Sequence, residues 1–150
     1  MTDRQAWLRV LALAPFAELA RMVSALAPLP PFVHVRGPDV GLAMVRGRTG
    51  GDGTPFALGE MTVTRCTLRV AVSDEDAYDG IACVAGRSPH HAELAALCDA
   101  LLQSPRWRSR VLASVVDPAR QQLADKRAQH ARRRAATKAE FITVVRSGEA

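Results

Sequence analysis

Between Gly47 and Val70 the chain reads GRTGGDGTPFALGEMTVTRCTLRV, a glycine cluster followed by a strand-like run that carries two arginines. No other stretch restricts the fold as tightly. Gly50, Gly51 and Gly53 free the backbone for positive φ, so the loop can turn sharply or aim several N–H groups at one anion. From Glu60 to Val70 the run is rich in β-branched residues, which suit a pleated, half-buried surface. Its alternation then changes phase. Met61 and Val63 place apolar groups at odd positions, whereas Cys66, Leu68 and Val70 place them at even ones. A regular strand with one wet face cannot do this, because its side chains repeat every second residue. Either both faces are buried, or an extra residue bulges near Thr64 and Arg65 and re-aims Arg65. The plainest version of the first reading is a hairpin loop and a central strand holding one buried, paired arginine. A phosphate cradle of P-loop type is disfavoured, since the loop runs into a strand and has neither a following helix nor a lysine at the required spacing.

The rest of the chain supplies the elements that such a strand needs around it. Thr2 or Asp3 can cap a helix through about Ala12, with Trp7, Leu8 and Leu11 at helical spacing. Pro15 suits the first turn of a second helix, whose Phe16, Leu19, Met22, Val23 and Leu26 form an apolar stripe. The segment Pro28 to Pro31 ends it and extends the chain. Phe32 to Arg36 and Val40 to Arg48 read as two strands separated by the turn signal Gly37-Pro38-Asp39. In the second of these, Val40, Leu42 and Met44 share a face that continues into Arg46 and Arg48. Ser73 to Gly80 reads as a polar hairpin connection, and Ile81 to Arg87 as a strand covered on both sides.

Ser88 and Pro89 then start a helix whose Leu94, Leu97, Cys98, Leu101 and Leu102 make a stripe that must be buried. Ser104-Pro105 and Asp117-Pro118 repeat that start signal and predict two further helices, the second running to about Ala135. The sum is an α+β fold: an antiparallel sheet of about four strands, with N-terminal and C-terminal helices packed against it.

A chain of 150 residues fits a single domain with a real core. No apolar run approaches the roughly 20 residues of a membrane span. The charged N-terminus lacks the pattern of a secretory signal, so the expected location is the cytoplasm. Cys66, Cys83 and Cys98 are odd in number and far apart, and read as reduced core residues rather than a disulfide frame; no CxxC or HExxH spacing suggests a metal. The net charge of +5 is concentrated late in the chain. From about residue 118 onward, Lys126, Arg127, Arg132, Arg133 and Arg134 leave little apolar stripe, so this helix and the tail to residue 150 are expected to be extended or docked on a partner. The closing FITVVR, residues 141–146, reads as a contact for another chain or for a distant part of this one.

At the start of the Pro89 helix, unpaired N–H groups and the helix dipole favour an anion, and Arg87, His90 and His91 add donors beside it. Surface capping without function explains the histidines equally well, and Glu93 is what dipole compensation alone would place there.

Taken together, the block GRTGGDGTPFALGEMTVTRCTLRV, the later GR followed by HAELAALCDALLQ, the closing FITVVR and the N-terminal RQAWLRVLA with AELA resemble the G subunit of the bacterial carbon-phosphorus lyase system for phosphonate use. The likeness extends over nearly the whole chain. It implies a cytoplasmic assembly with three other core subunits: one carrying the nucleosidase site, one the iron-sulfur radical chemistry, and one more. It further implies a part in the step in which an alkylphosphonate displaces adenine from ATP at ribose C1, giving ribose 1-phosphonate 5-triphosphate. ATP would be a substrate of the complex, with no cofactor held by this chain alone, no nucleic acid and no membrane among its partners, and no catalytic residue of its own. Both substrates are polyanions, to which arginines offer charge-assisted bonds. The expected ligand or subunit contacts are therefore Arg65, Arg69, Glu60, Gly50, Gly51 and Gly53 on the loop and strand, with Arg87 and His91 as a second, anion-facing edge.

Two other readings compete. A small basic nucleic-acid module would account for the charge, but aromatics are only 5%, too few for a stacking platform. An independent enzyme with His91 and Glu93 as acid and base lacks a recognisable nucleophile.

Overall fold

The computed structural model describes residues 3–136. Helices α1 (Asp3–Leu13) and α2 (Phe16–Ser24) precede strands β1 (Phe32–Arg48), β2 (Pro55–Ala71) and β3 (Ala77–Ala85), and helices α3 (Pro89–Gln103), α4 (Pro105–Val111) and α5 (Asp117–Ala136) follow. The sheet is antiparallel in the order β1-β2-β3 and has three strands, not four.

The missing strand was never separate. Gly37-Pro38-Asp39 does not turn the chain; it is absorbed as an irregularity inside β1, where Arg36 faces Thr67 and Asp39 faces Arg65. A second slip lies between His34 and Arg36. β1 is an edge strand, so proline can sit at such a bulge without breaking a ladder on its outer side. β2 holds an unbroken register with β3 from Val63 to Ala71, so the bulge expected at Thr64 and Arg65 is not there. The irregularities opposite Arg65 belong to its partner strand. The one slip on β2 falls between Ala57 and Gly59, where Gly59 takes φ 145°.

The phase change has the other cause. Val63 and Thr64 are both buried, and from Thr64 onward the even positions Cys66, Leu68 and Val70 face the helices. Thr64 is a polar residue at a core position because its hydroxyl is fully used. It donates to the Gly86 carbonyl at 2.7 Å and accepts from the Ser88 N–H at 3.0 Å, fixing the turn that leads into α3. Ser88 occupies the cap position as expected but makes no side-chain capping bond.

α3 is the central helix, buried along most of its length from His91 to Leu102. It packs so closely on β3 that a Cβ at Gly80 would collide with the backbone of Ala96 and Ala100. Only glycine permits that approach. The polar centre of the core is Asp99, 0% exposed. Its carboxylate accepts from Arg4 Nε at 3.1 Å and Nη2 at 2.7 Å, from Trp7 Nε1 at 2.8 Å and from the Ile81 N–H at 3.0 Å. One side chain thus joins α1, α3 and β3, and the same contact raises the Arg4 pKa further above its already high value. A buried charge is tolerable only when paired and saturated with hydrogen bonds in this way.

The two C-terminal helices predicted from their cap-and-proline signals form one continuous rod. A π turn at Leu112–Val116 links α4 to α5, and this wider turn precedes Pro118, whose missing N–H would otherwise leave a gap in the ladder. Ala119 is buried and Leu123 partly so, whereas 124–135 is exposed. The tail beyond residue 136, with the FITVVR segment, lies outside the described residues. Among the cysteines, Cys66 and Cys98 are buried as expected, but Cys83 is exposed, because odd positions of β3 point away from the helices.

Candidate subunit interface

β3 covers only part of β2. It pairs with Val63–Ala71, whereas β1 pairs with β2 along its whole length from Val70 to Pro55. Beyond the Gly41–Val63 pair, therefore, β1 and β2 continue as a two-stranded arm. From that pair to the Arg48–Pro55 pair is seven residues along β1, about 24 Å at the usual rise. The glycine cluster closes its tip. Gly50 and Gly51 take φ 65° and 94°, as expected, but Gly53 does not take positive φ. It is required for space: a Cβ there would strike the Thr49 carbonyl, which accepts the Gly53 N–H at 2.9 Å. Arg48 donates to the Gly53 carbonyl at 3.0 Å and ties the tip to the strand.

Both faces of the arm carry exposed apolar side chains. Cross-strand partners share a face, so Val40, Leu42 and Met44 lie on the side of Thr64, the side that α3 covers nearer the body. No helix reaches them, and Leu42 and Met44 are each 57% exposed. On this face stand also Glu60, opposite Met44, and Arg46 and Arg48 toward the tip. On the other face Gly41, Ala43, Val45 and Gly47 are small, and the large groups come from β2: Met61, Phe56 and Leu58. Leu58 lies across Gly47, where a Cβ would press against its side chain. A lone two-stranded ribbon is marginal in water, and apolar patches of this kind mark interaction surfaces.

The expected contact residues divide between separate places. Gly50, Gly51, Gly53 and Glu60 lie on the arm. Arg65 lies at its base, exposed rather than buried, over Gly41, with one guanidinium N–H donated to the Leu42 carbonyl at 3.2 Å. Arg69 is taken up by Asp79 directly across on β3, through two bonds of 2.6 and 2.7 Å. Hydrogen bonding to Arg69 holds the Asp79 carboxyl below its ordinary range.

The second expected edge does not form as drawn. Arg87 is exposed in the turn before α3, but His91 is buried, its Nε2 2.9 Å from the Leu11 carbonyl. It joins α3 to α1 instead of facing an anion. Glu93 is bonded to His34 Nε2 at 2.8 Å, so the acid–base pair of the independent-enzyme reading is not assembled. Among the described residues no cluster of metal-ligating side chains occurs, and no helix is long and apolar enough to cross a membrane.

Sequence reasoning missed the exposure of Leu42, Met44 and Leu58. The available signal was the length of two strands rich in apolar residues on both faces, set against a third strand of only nine residues.

Comparison with known proteins agrees with the resemblance seen in the sequence. The chain is 39% identical, over 97% of its length and 90% of the relative's, to the alpha-D-ribose 1-methylphosphonate 5-triphosphate synthase subunit PhnG of Rhizobium meliloti (strain 1021). Residues 2–147 match the family described as phosphonate metabolism protein PhnG. The chain belongs to that family.

Proposed function

We propose that this chain is a noncatalytic subunit of an alpha-D-ribose 1-methylphosphonate 5-triphosphate synthase, the assembly that transfers the ribose 5-triphosphate moiety of ATP to an alkylphosphonate and releases adenine. The relative that supports this reading is named as a subunit of that synthase. Partner subunits with nucleosidase and lyase roles, together with a further core subunit, complete the assembly in the cytoplasm.

The observation that carries the subunit role is the arm. A structure that exposes Leu42, Met44 and Leu58 on opposite faces of two strands gains its stability from chains that cover them. The arm, with Glu60 and the glycine tip, is the contact; Arg65 stands at its root. The basic α5 offers a second docking surface for an acidic partner. Nothing in the fold favours the nucleic-acid module: on the three-stranded part of the sheet the face away from α3 displays Arg65, Thr67, Arg69, Ile81 and Cys83, with no aromatic platform.

Affinity purification of the chain from its native host tests the reading. Stoichiometric recovery of the other synthase subunits is the expected result, and Leu42→Asp with Leu58→Asp, one on each face of the arm, abolishes it. A clean monomer from the wild-type chain, or undiminished recovery with the double variant, refutes the arm as the contact.

A further inference from the structure

Where the arm joins the body, α1, the sheet and Ala95 of α3 enclose a cleft of about 470 Å³. Three guanidinium groups line it, each from a different element: Arg9 from α1, Arg36 from β1 and Arg65 from β2. Leu8 and Ile81 supply apolar wall, and the exposed thiol of Cys83 opens onto it, directly across the sheet from Arg65. No carboxylate is among the lining groups. The nearest is Asp39, whose Oδ2 accepts from Arg36 Nη2 at 3.2 Å; Arg36 Nε lies 3.1 Å from Oδ1, without hydrogen-bond alignment. Arg65 gives one donor to the Leu42 carbonyl and keeps the remainder of its guanidinium, while Arg9 forms no ion pair or hydrogen bond among the described residues.

The bulges of β1 contribute to this arrangement. The slips between His34 and Arg36 and between Arg36 and Asp39 shift the register of β1 so that Arg36 stands opposite Thr67, next to the position of Arg65 on the same strand. Three cations against one anion, around a concavity with apolar walls, repel one another unless a ligand of opposite charge is bound. Clefts of a few hundred Å³ with a few convergent polar groups are the usual form of small-molecule sites. An acidic side chain from a partner would use the charges but leave the volume and the apolar wall empty, so the shape favours a small organic anion.

We propose that this cleft binds a small organic phosphate or phosphonate, its charged head held by Arg9, Arg36 and Arg65 and its uncharged part against Leu8 and Ile81. Planar guanidinium groups match the paired oxygens of such heads through two parallel bonds each. The choice of probes rests on the proposed function, but the site itself belongs to this chain alone and needs no partner subunit.

Cys83 gives the readout, because Cys66 and Cys98 are buried. The rate of its alkylation by iodoacetamide, a neutral reagent, is followed by mass spectrometry in the full-length chain, with ATP, inorganic triphosphate and methylphosphonate as probes at constant ionic strength. At least one probe slows alkylation in a saturable way, and Arg9→Gln and Arg65→Gln each raise the half-protecting concentration by about tenfold or more, as expected for losing a charge-assisted bond. Arg9 is exposed on α1, so its variant keeps the fold even if loss of the Arg65 bond to Leu42 loosens the arm. Alkylation unchanged by all three probes at millimolar concentration overturns the site, as does protection equally strong in both variants. So does a thiol shielded only in the assembled complex and indifferent to the probes, which would assign the cleft to a partner's acidic segment. Each of these failures leaves copurification intact, and loss of copurification leaves the protection assay standing.

Discussion

The two ends of the same pair of strands are built on opposite principles. Near the body, β2 lies between two neighbours and beneath α3: Cys66, Leu68 and Val70 are at most 1% exposed, Thr64 has both its hydrogen bonds, and Gly80 allows backbone to approach backbone. In the arm the same strand has one neighbour and no cover, and Leu58 is 61% exposed. The residue types scarcely differ. Valine, leucine and threonine occupy both ends, so composition does not separate core from surface; the length of β3 does. Where the third strand stops, apolar alternation ceases to be a core and becomes a docking surface.

That contrast can be broken most decisively at Asp99. Asp99→Ala leaves the Arg4 guanidinium, the Trp7 indole N–H and the Ile81 N–H without their acceptor, and urea unfolding should show a loss of about 3–5 kcal/mol. A loss below about 1 kcal/mol would mean that water replaces the carboxylate and that the body is not held from this point. Gly80→Ala comes next. The added methyl group has to push apart β3 and α3, at about 1–3 kcal/mol by the same measurement. If Gly80→Ala is neutral, the close approach is not required.

In the arm the expected order reverses. Leu42→Asp with Leu58→Asp should change the unfolding free energy of the isolated chain by no more than about 0.5 kcal/mol per site, the range for exposed positions, while abolishing recovery of partners. A large loss of stability in the free chain would show the arm to be part of the body after all.

The smallest effect belongs to the exposed Arg69–Asp79 pair. Its bond holds the Asp79 carboxyl below the ordinary 3.8, so the stability that it contributes is present above that pH and is lost as pH falls through the lower, folded value. Solvent screening keeps it slight. Asp79→Asn should flatten the acid limb of the stability profile a little; an unchanged limb would make the pair an ornament of the surface.

How much of this was legible in the sequence follows the range of the cause. Helix starts at Pro89 and Pro105, the stripe of α3 and the antiparallel pairing all rest on neighbours within a few residues, and these could be read directly. Gly37-Pro38-Asp39 could not. Those three residues serve a turn or a bulge equally well, and the choice depends on whether a strand some 30 positions later is long enough to pair with both halves. The phase change was visible, but its cause, a threonine whose hydroxyl is satisfied by the Gly86 carbonyl and the Ser88 N–H, lies more than 20 residues away. His91 illustrates the same limit at the candidate site: a first-turn histidine is aimed inward or outward by what packs against it, here the end of α1. Arg65 drew attention because it stands beside the anomaly, whereas Arg9 and Arg36 carry no local mark and line the same cleft only through the fold.

The carboxylate of Asp99 also sets an order of events for a chain made from its N-terminus. Its bonds to Arg4 and Trp7 span 95 and 92 positions. At about 5–20 residues per second, α1 leaves the ribosome roughly 5–20 s before the residue that anchors it does. A helix of 11 residues does not hold its shape alone in water for that time. The earlier helix is therefore not placed until the later one arrives. Trp7 and Leu11 spend that interval uncovered, open to any chaperone that waits at the tunnel exit, until α3 emerges to receive them.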